Sequence, residues 1–216
     1  MTGQFESAQA SPELLWGWLA ARSVARGLPL PVPAHGGMRV DTGRPDEASR
    51  HVFAGPDPRI GELAAAIRTP RHFIKMCGPG ERLLSLAPAG WELQPRAYLM
   101  TQDVFRQPPL ALDPAYRLAL ARQGGAIAVS IHADDGRIAA SGYAAEHGGA
   151  FVFDRIAVDP GHRRRGLGRA LMAALGAEQR SPQATRVLVA SDDGRALYST
   201  LGWSVRCAYS TIVIPG

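Results

Sequence analysis

Residues 151–175, FVFDRIAVDPGHRRRGLGRALMAAL, constrain the chain more than any other stretch. Phe151 to Val158 is apolar and β-branched apart from Asp154 and Arg155, the pattern of a mostly buried strand. Asp159-Pro160-Gly161 stops it, because proline and glycine end ladder pairing. Past the turn, Leu167, Leu171, Ala174 and Leu175 recur at helical spacing and give one apolar face. Between strand and helix lies Arg163-Arg164-Arg165-Gly166-Leu167-Gly168, with Arg169 following. Free backbone N–H groups, a helix N-terminal dipole and clustered positive charge meet at that turn. The combination binds an anion, a pyrophosphate first among the candidates.

Several nucleotide folds are excluded cheaply. There is no G-x-x-x-x-G-K-[ST], so the turn is not a P-loop. Gly166-Leu167-Gly168-Arg169-Ala170 is followed by Leu171 where a dinucleotide fingerprint needs its third glycine. No G-x-S-x-G elbow is present. A nucleic-acid surface would need a basic face with interleaved aromatics. The net charge of +5 is carried almost wholly by arginine, with Lys75 the sole lysine, and its one dense cluster is this turn. No nucleic-acid partner is expected. The bland reading of the cluster is a solvated charged loop.

The 216 residues suffice for one large domain or two small ones, and 46% hydrophobic content supplies a proper core. No run of about 18 apolar residues exists, so no membrane helix is expected. An acidic Glu6 and no basic, apolar leader argue against a secretory signal. Cys77 and Cys207 lie far apart, and no closely spaced Cys/His set suggests a metal. A reduced cytoplasmic protein, monomer or homodimer, is the expectation.

Along the chain, Ser11, Pro12 and Glu13 announce a helix over 12–26, with Trp16, Leu19 and Val24 on its apolar side and Gly27 at its end. Strands are predicted at 38–41, 51–54, 72–77 and 96–101, with short helices at 58–67 and 81–87. The proline-rich segment 107–114 is the best boundary, dividing 1–106 from 107–216. The second half predicts strands at 115–121, 126–133, 137–146, 151–158, 186–190 and 203–214, with helices after Gly166 and over 194–201, where Asp192 is the candidate N-cap. Its order is β-β-β-β-α-β-α-β. Residues 72–101 echo 186–214: strand, turn, short helix, Gly-Trp (Gly90-Trp91, Gly202-Trp203), strand. The first half therefore reads either as a degenerate copy of the second or as an accessory elaboration.

The R-x-x-G-x-G run after Ile156-Ala157-Val158-Asp159-Pro160 closely resembles the GNAT superfamily of acyl-CoA N-acyltransferases. A second block, Val187 to Ala190, Gly194 to Tyr198 and Leu201-Gly202-Trp203, is similar to the same family. The resemblance implies an α/β (α+β) fold with a mixed, mostly antiparallel sheet flanked by helices. It implies that the turn holding Arg163, Arg164, Arg165, Gly166, Leu167, Gly168 and Arg169 grips the CoA pyrophosphate. Ile156, Ala157 and Val158 would hydrogen-bond the pantetheine arm, and Tyr198 would protonate the departing thiolate. Where many members carry asparagine, this chain has Ser191, which can still donate a hydrogen bond to the cofactor.

Acylation needs a neutral amine and hence a base or a water chain. Asp154 is the first candidate, since burial in an apolar strand would raise its pKa; a salt bridge to an arginine is the alternative. Asp192, Asp193 and Glu146 are weaker candidates, and His132 and His147 have no partner spacing. No activated Ser or Cys is evident, so direct attack by the amine is expected. The expected function is transfer of an acetyl group from acetyl-CoA to a small-molecule or peptide amine. An inactive acyl-CoA sensor is the second reading, and a tandem GNAT-fold aminoacyltransferase using charged tRNA the third.

Overall fold

The computed structural model describes residues 10–102 and 111–216. The first half runs α1 (Pro12–Ala25), β1 (Val32–Ala34), β2 (Gly37–Asp41), β3 (Ser49–Phe53), α2 (Arg59–Ala66), β4 (His72–Cys77), α3 (Gly80–Leu84), β5 (Glu92–Leu93) and β6 (Ala97–Gln102). The second runs β7 (Tyr116–Gln123), β8 (Ala126–Ala133), β9 (Ile138–His147), β10 (Ala150–Val158), α4 (Leu167–Gly176), β11 (Thr185–Ala190), α5 (Asp192–Thr200) and β12 (Ser204–Val213). The expected boundary at 106/107 lies outside the described residues, as does the start of the chain through residue 9.

All twelve strands among the described residues join one sheet, in the order β1-β2-β3-β4-β12-β6-β11-β10-β9-β8-β7, with β5 paired to β12. Only β3–β4 and β10–β11 pair in parallel, each spanned by a helix, α2 and α4. Each parallel pair is followed by a short helix and one more strand, and that strand goes to the other half: β6 lies against β11, and β12 against β4. The order is thus near-palindromic about the antiparallel β12–β6 pair. The segments that echo each other in sequence are β4–α3–β6 and β11–α5–β12.

α1 forms because Ser11 accepts a hydrogen bond from Leu14 N while Pro12 occupies the first turn. Leu15, Trp18, Leu19 and Ala21 form its buried stripe and share one core with residues from β2, β3, β4, β6, β9, β10, β11 and β12. α1 itself lies chiefly against β9 and β10. Trp16, expected on the apolar side, is instead 38% exposed and lies against His147, one residue off that stripe. α4 and α5 cover the opposite face, over Phe151, Phe153 and Leu188. α2 and α3 seal a smaller core on Ile74, Met76 and Ile212. No helix among the described residues is long and apolar enough to cross a membrane.

Candidate active site

β10 stops pairing with β11 early. Only Ala150, Val152 and Phe151 between them find partners, at Thr185, Val187 and Arg186. On its other side β10 continues along β9, through a bulge between Asp154 and Ala157 where Arg155 takes φ +51°. From Asp154 to Val158 the edge facing β11 therefore has no ladder partner there, while Leu188, Val189 and Ala190 of β11 turn to β6. Unpaired strand groups beside an open wedge hydrogen-bond an extended, amide-bearing ligand by strand addition. Ile156 and Val158 are half-buried there and Ala157 is exposed.

The wedge leads into the basic turn. Asp159 accepts from Gly161 N at 2.9 Å, winding a single 3₁₀ turn over Pro160–His162. Arg164 (φ +63°) and Gly166 (φ +78°) are then left-handed, which folds successive N–H groups toward one side. Gly166 is the N-cap of α4 and offers no side chain, so the first-turn N–H groups face outward unsatisfied. Arg163, Arg164, Arg165 and Arg169 are exposed, and no ion pair engages them among the described residues. Arg165 Nη1 donates to Tyr116 Oη at 3.3 Å, and Tyr116 Oη lies 3.0 Å from His162 Nδ1. Gly168 sits close to α5: a Cβ there would stand 3.1 Å from Leu197 Cδ2, which would have to give by a few tenths of an ångström. That contact seats α4 against α5.

α5 carries Tyr198 into the same core. Ser191 caps the helix, accepting from Gly194 N at 3.3 Å, so the helix starts at Asp192 and not after it. Asp192 is a first-turn residue that accepts from Tyr98 Oη at 2.9 Å. Tyr198 is 7% exposed, its ring 6.2 Å from that of Trp203, which packs edge-on against Phe153 of β10 at 5.2 Å. Ile156, Val158 and Leu197 border this same cluster. Burial pushes the Tyr198 phenol up to about 12, which keeps its proton in place at neutral pH.

A family model for the acetyltransferase (GNAT) domain matches residues 123–205. The matched span runs from the last residue of β7 into β12 and takes in the wedge, the basic turn and α5. Solved structures agree on the fold. A GCN5-related N-acetyltransferase from Kribbella flavida superposes with a TM-score of 0.61 at 17% identity, covering 90% of this chain and 92% of that one. One from Sphaerobacter thermophilus gives 0.55 at 14% identity over 100% and 98% of the two chains. A GCN5-related N-acetyltransferase-like protein from Streptococcus suis gives 0.58 at 13%, over 83% and 84%. No curated protein matches the chain significantly.

Within the matched span the expected cofactor residues fall on one continuous path: Ile156 to Val158 on the open edge, Arg163 to Arg169 at its end. Ser191 also caps α5: its oxygen accepts from Gly194 N, which leaves its O–H to donate. Asp154 needs correction. It is buried as expected, and burial does push its pKa up, but the Arg26 hydrogen bonds and the Arg22, Arg26 and Arg155 charges outweigh that push and hold it below the ordinary carboxylate range. Arg26 clamps it with Nε at 2.6 Å and Nη2 at 2.9 Å, and Arg22 Nε lies at 3.4 Å. A carboxylate so held is a poor base. Glu146 accepts from Arg180 N and Ser181 N, so it ties a loop together.

Sequence reasoning missed the contributions of the first half. Tyr98 on β6 reaches Asp192 at the head of α5, and Arg195 lies 4.3 Å over its ring. Arg22 and Arg26, four apart on one helix face, gave a legible signal: two cations aimed at whatever acid α1 covers. Nothing in sequence marked Tyr116 as the partner of Arg165. The first half also lacks a second wedge, because β3 and β4 stay paired over five positions, Ser49↔His72 to Phe53↔Met76. At the start of its helix α2, the Asp57 carboxylate accepts from Arg59 N at 2.8 Å and occupies the place an anion would take.

Proposed function

We propose that the protein is an N-acetyltransferase that moves an acetyl group from acetyl-CoA to a primary amine in a ternary complex. The observation that carries this reading is the wedge between β10 and β11 opening directly onto the uncapped, arginine-rich start of α4. The pyrophosphate is received by the N–H groups of Gly166, Leu167 and Gly168 under the charges of Arg163, Arg164, Arg165 and Arg169. The pantetheine amides pair with the free edge at Ile156, Ala157 and Val158, which lays the thioester toward Tyr198.

The amine attacks the thioester carbon, a tetrahedral intermediate forms, and the C–S bond breaks as the Tyr198 phenol gives its proton to the departing thiolate. A phenol raised to about 12 remains protonated until that demand arises. Asp154 stays ionised in its arginine clamp and takes no proton. The proton lost by the amine goes to water. Residues 107–216 are the catalytic module in this reading, and 1–106 a GNAT-like module whose closed β3–β4 pair and capped α2 have given up cofactor binding. Two free, buried cysteines fit a reducing, cytoplasmic setting.

Titration calorimetry with acetyl-CoA, followed by thiol release over an amine panel, tests the reading. Binding in the micromolar range and turnover of at least one amine are expected. Binding without turnover of any amine, unaltered by Tyr198→Phe, would instead identify an acyl-CoA sensor.

A further inference from the structure

Beyond the C-terminal end of α1, the concave face of the sheet gathers more buried positive charge than it neutralises. Arg22, Arg26, Arg50 and Lys75 meet two carboxylates, Glu47 and Asp154. Arg26 takes Asp154 in a two-point clamp and Arg50 pairs with Glu47. Arg22 shares Asp154 only at the longer distance of 3.4 Å, and its Nη1 is buried with no hydrogen-bond partner. Arg50 is 2% exposed with Nε unpartnered, and Tyr209 is 5% exposed with its hydroxyl unpartnered. Lys75 Nζ has Thr211 Oγ1 at 3.4 Å. Buried donors are nearly always satisfied in native proteins, and buried charges are paired. Here three buried donors and a half-buried ammonium stand together with two negative charges too few.

The place matters as much as the charge. β4 runs antiparallel to β12, β12 to β6 and β6 to β11, while β11 is parallel to β10. The start of β4 and the end of β12 thus sit at the end of the sheet where β10 leaves β11. Asp154 belongs to the first residues of that open edge, and Arg155 Nη2 donates to Ala25 O at 3.2 Å, tying the bulge to the end of α1. The cluster borders the wedge from the face opposite α4.

We propose that the acceptor amine carries a carboxylate, received between Arg22 Nη1, the Tyr209 hydroxyl and Lys75 Nζ, so that the substrate class is amino acids or peptides with a free carboxyl group. This rests on the N-acetyltransferase reading above. Arg26 and Arg50 already have one carboxylate each, which leaves Arg22 and Lys75 as the recruiting charges. A carboxylate offers two oxygens, enough for Arg22 and Tyr209 with Lys75 between them. Arg22 and Tyr209 lie close enough for each to shift the other's ionisation, and burial together with Arg22 and Arg26 holds Lys75 down to about 8. An arriving anion relieves that crowding. The first half, whose β3–β4 pair stays closed, supplies Lys75 on β4.

Because Lys75 is the sole lysine, ζ-¹⁵N-lysine labelling gives one side-chain signal. The experiment adds three pools to the protein with acetyl-CoA: the protein amino acids with β-alanine and 4-aminobutyrate, their carboxamides, and aminoalkylphosphonates. Acetylation of the free acids is expected, with kcat/KM falling at least about 100-fold for the carboxamides. The Lys75 signal moves when the accepted acid is added with CoA. Lys75→Met, and separately Tyr209→Phe, raise KM for the acid about 10-fold or more with kcat held within a few-fold. Equal turnover of acids and carboxamides overturns the proposal, as does preference for phosphonates, or an unchanged KM in both variants. Acetyl-CoA binding with no turnover of any pool and a still Lys75 signal also overturns it, while leaving other amines open. Failure to bind acetyl-CoA at all sinks the enzymatic reading itself.

Discussion

Arg26 grips Asp154 with two guanidinium nitrogens, at 2.6 and 2.9 Å, and thereby fastens the last turn of α1 to the bulge in β10. Removing one partner of a buried pair leaves the other uncompensated, at a cost of about 3–5 kcal/mol. Asp154→Asn is expected to lower the melting temperature by many degrees. Its pH profile of kcat/KM is expected to keep the wild-type shape, because a carboxylate held ionised by Arg26 and Arg22 takes no proton near neutral pH. The sign of the acid dependence follows from its lowered pKa. The folded carboxyl titrates below its unfolded value of 3.8, so the stabilisation is complete above that value and fades as pH falls through the folded one. Melting curves from pH 7 to pH 2 check this: the gap between wild type and variant should close at the acid end.

Tyr198→Phe keeps the ring against Trp203 and Gly194 and removes only the proton donor. A general acid contributes about 100- to 10,000-fold, so kcat should fall at least about 100-fold with the acetyl-CoA dissociation constant unchanged. An acyl thioester of a more acidic thiol needs less help on departure and should recover most of the loss. With the phenol pushed up to about 12, it should add no basic limb to the rate between pH 7 and pH 10. A variant with wild-type kcat would remove Tyr198 from the mechanism.

The turn separates two uses of glycine. Gly166→Pro cannot hold φ +78° and destroys the entry to α4. Gly168→Asp drives a carboxylate against Leu197 and Val158 in the first turn of α4 and adds negative charge beside the turn, so acetyl-CoA binding should weaken by about 100-fold or more in calorimetry. Gly55→Ala, on the approach to α2 in the first half, should leave binding unchanged. Wild-type affinity in Gly168→Asp would remove the turn from the cofactor site.

What was legible in sequence tracks what is local. Ser11-Pro12 set the start of α1, and the alternation of residues 126–133 gave β8 with the bounds observed. The R-x-x-G-x-G turn was legible because φ at Gly166 and the missing cap are local needs. The fate of Asp154 was not, since its partners are 128 and 132 residues away on a helix. Burial was read correctly as raising its pKa; the sign turned on arginines that only the packing of α1 on β10 brings near. The crossing of β6 and β12 was likewise hidden, because both strands look alike in pattern and only pairing decides which neighbour each takes.

That crossing makes a further prediction. β6 stands between β11 and β12, and β12 between β6 and β4, so neither half closes its sheet alone. A fragment of residues 111–216 would expose the whole edge of β11 where β6 belongs, at Ala190 to Arg186. Buried apolar Val187 and Leu188 would lose their neighbours Thr101 and Met100. Unpaired apolar edges invite aggregation, so this fragment is expected in the insoluble fraction when expressed alone. Co-expressed with residues 1–110, the two should copurify and regain acetyl-CoA binding, because the missing strand arrives in trans. A soluble, monomeric 111–216 fragment with native acetyl-CoA affinity would show that β12 can close on β11 directly. The exchange would then be dispensable for the site.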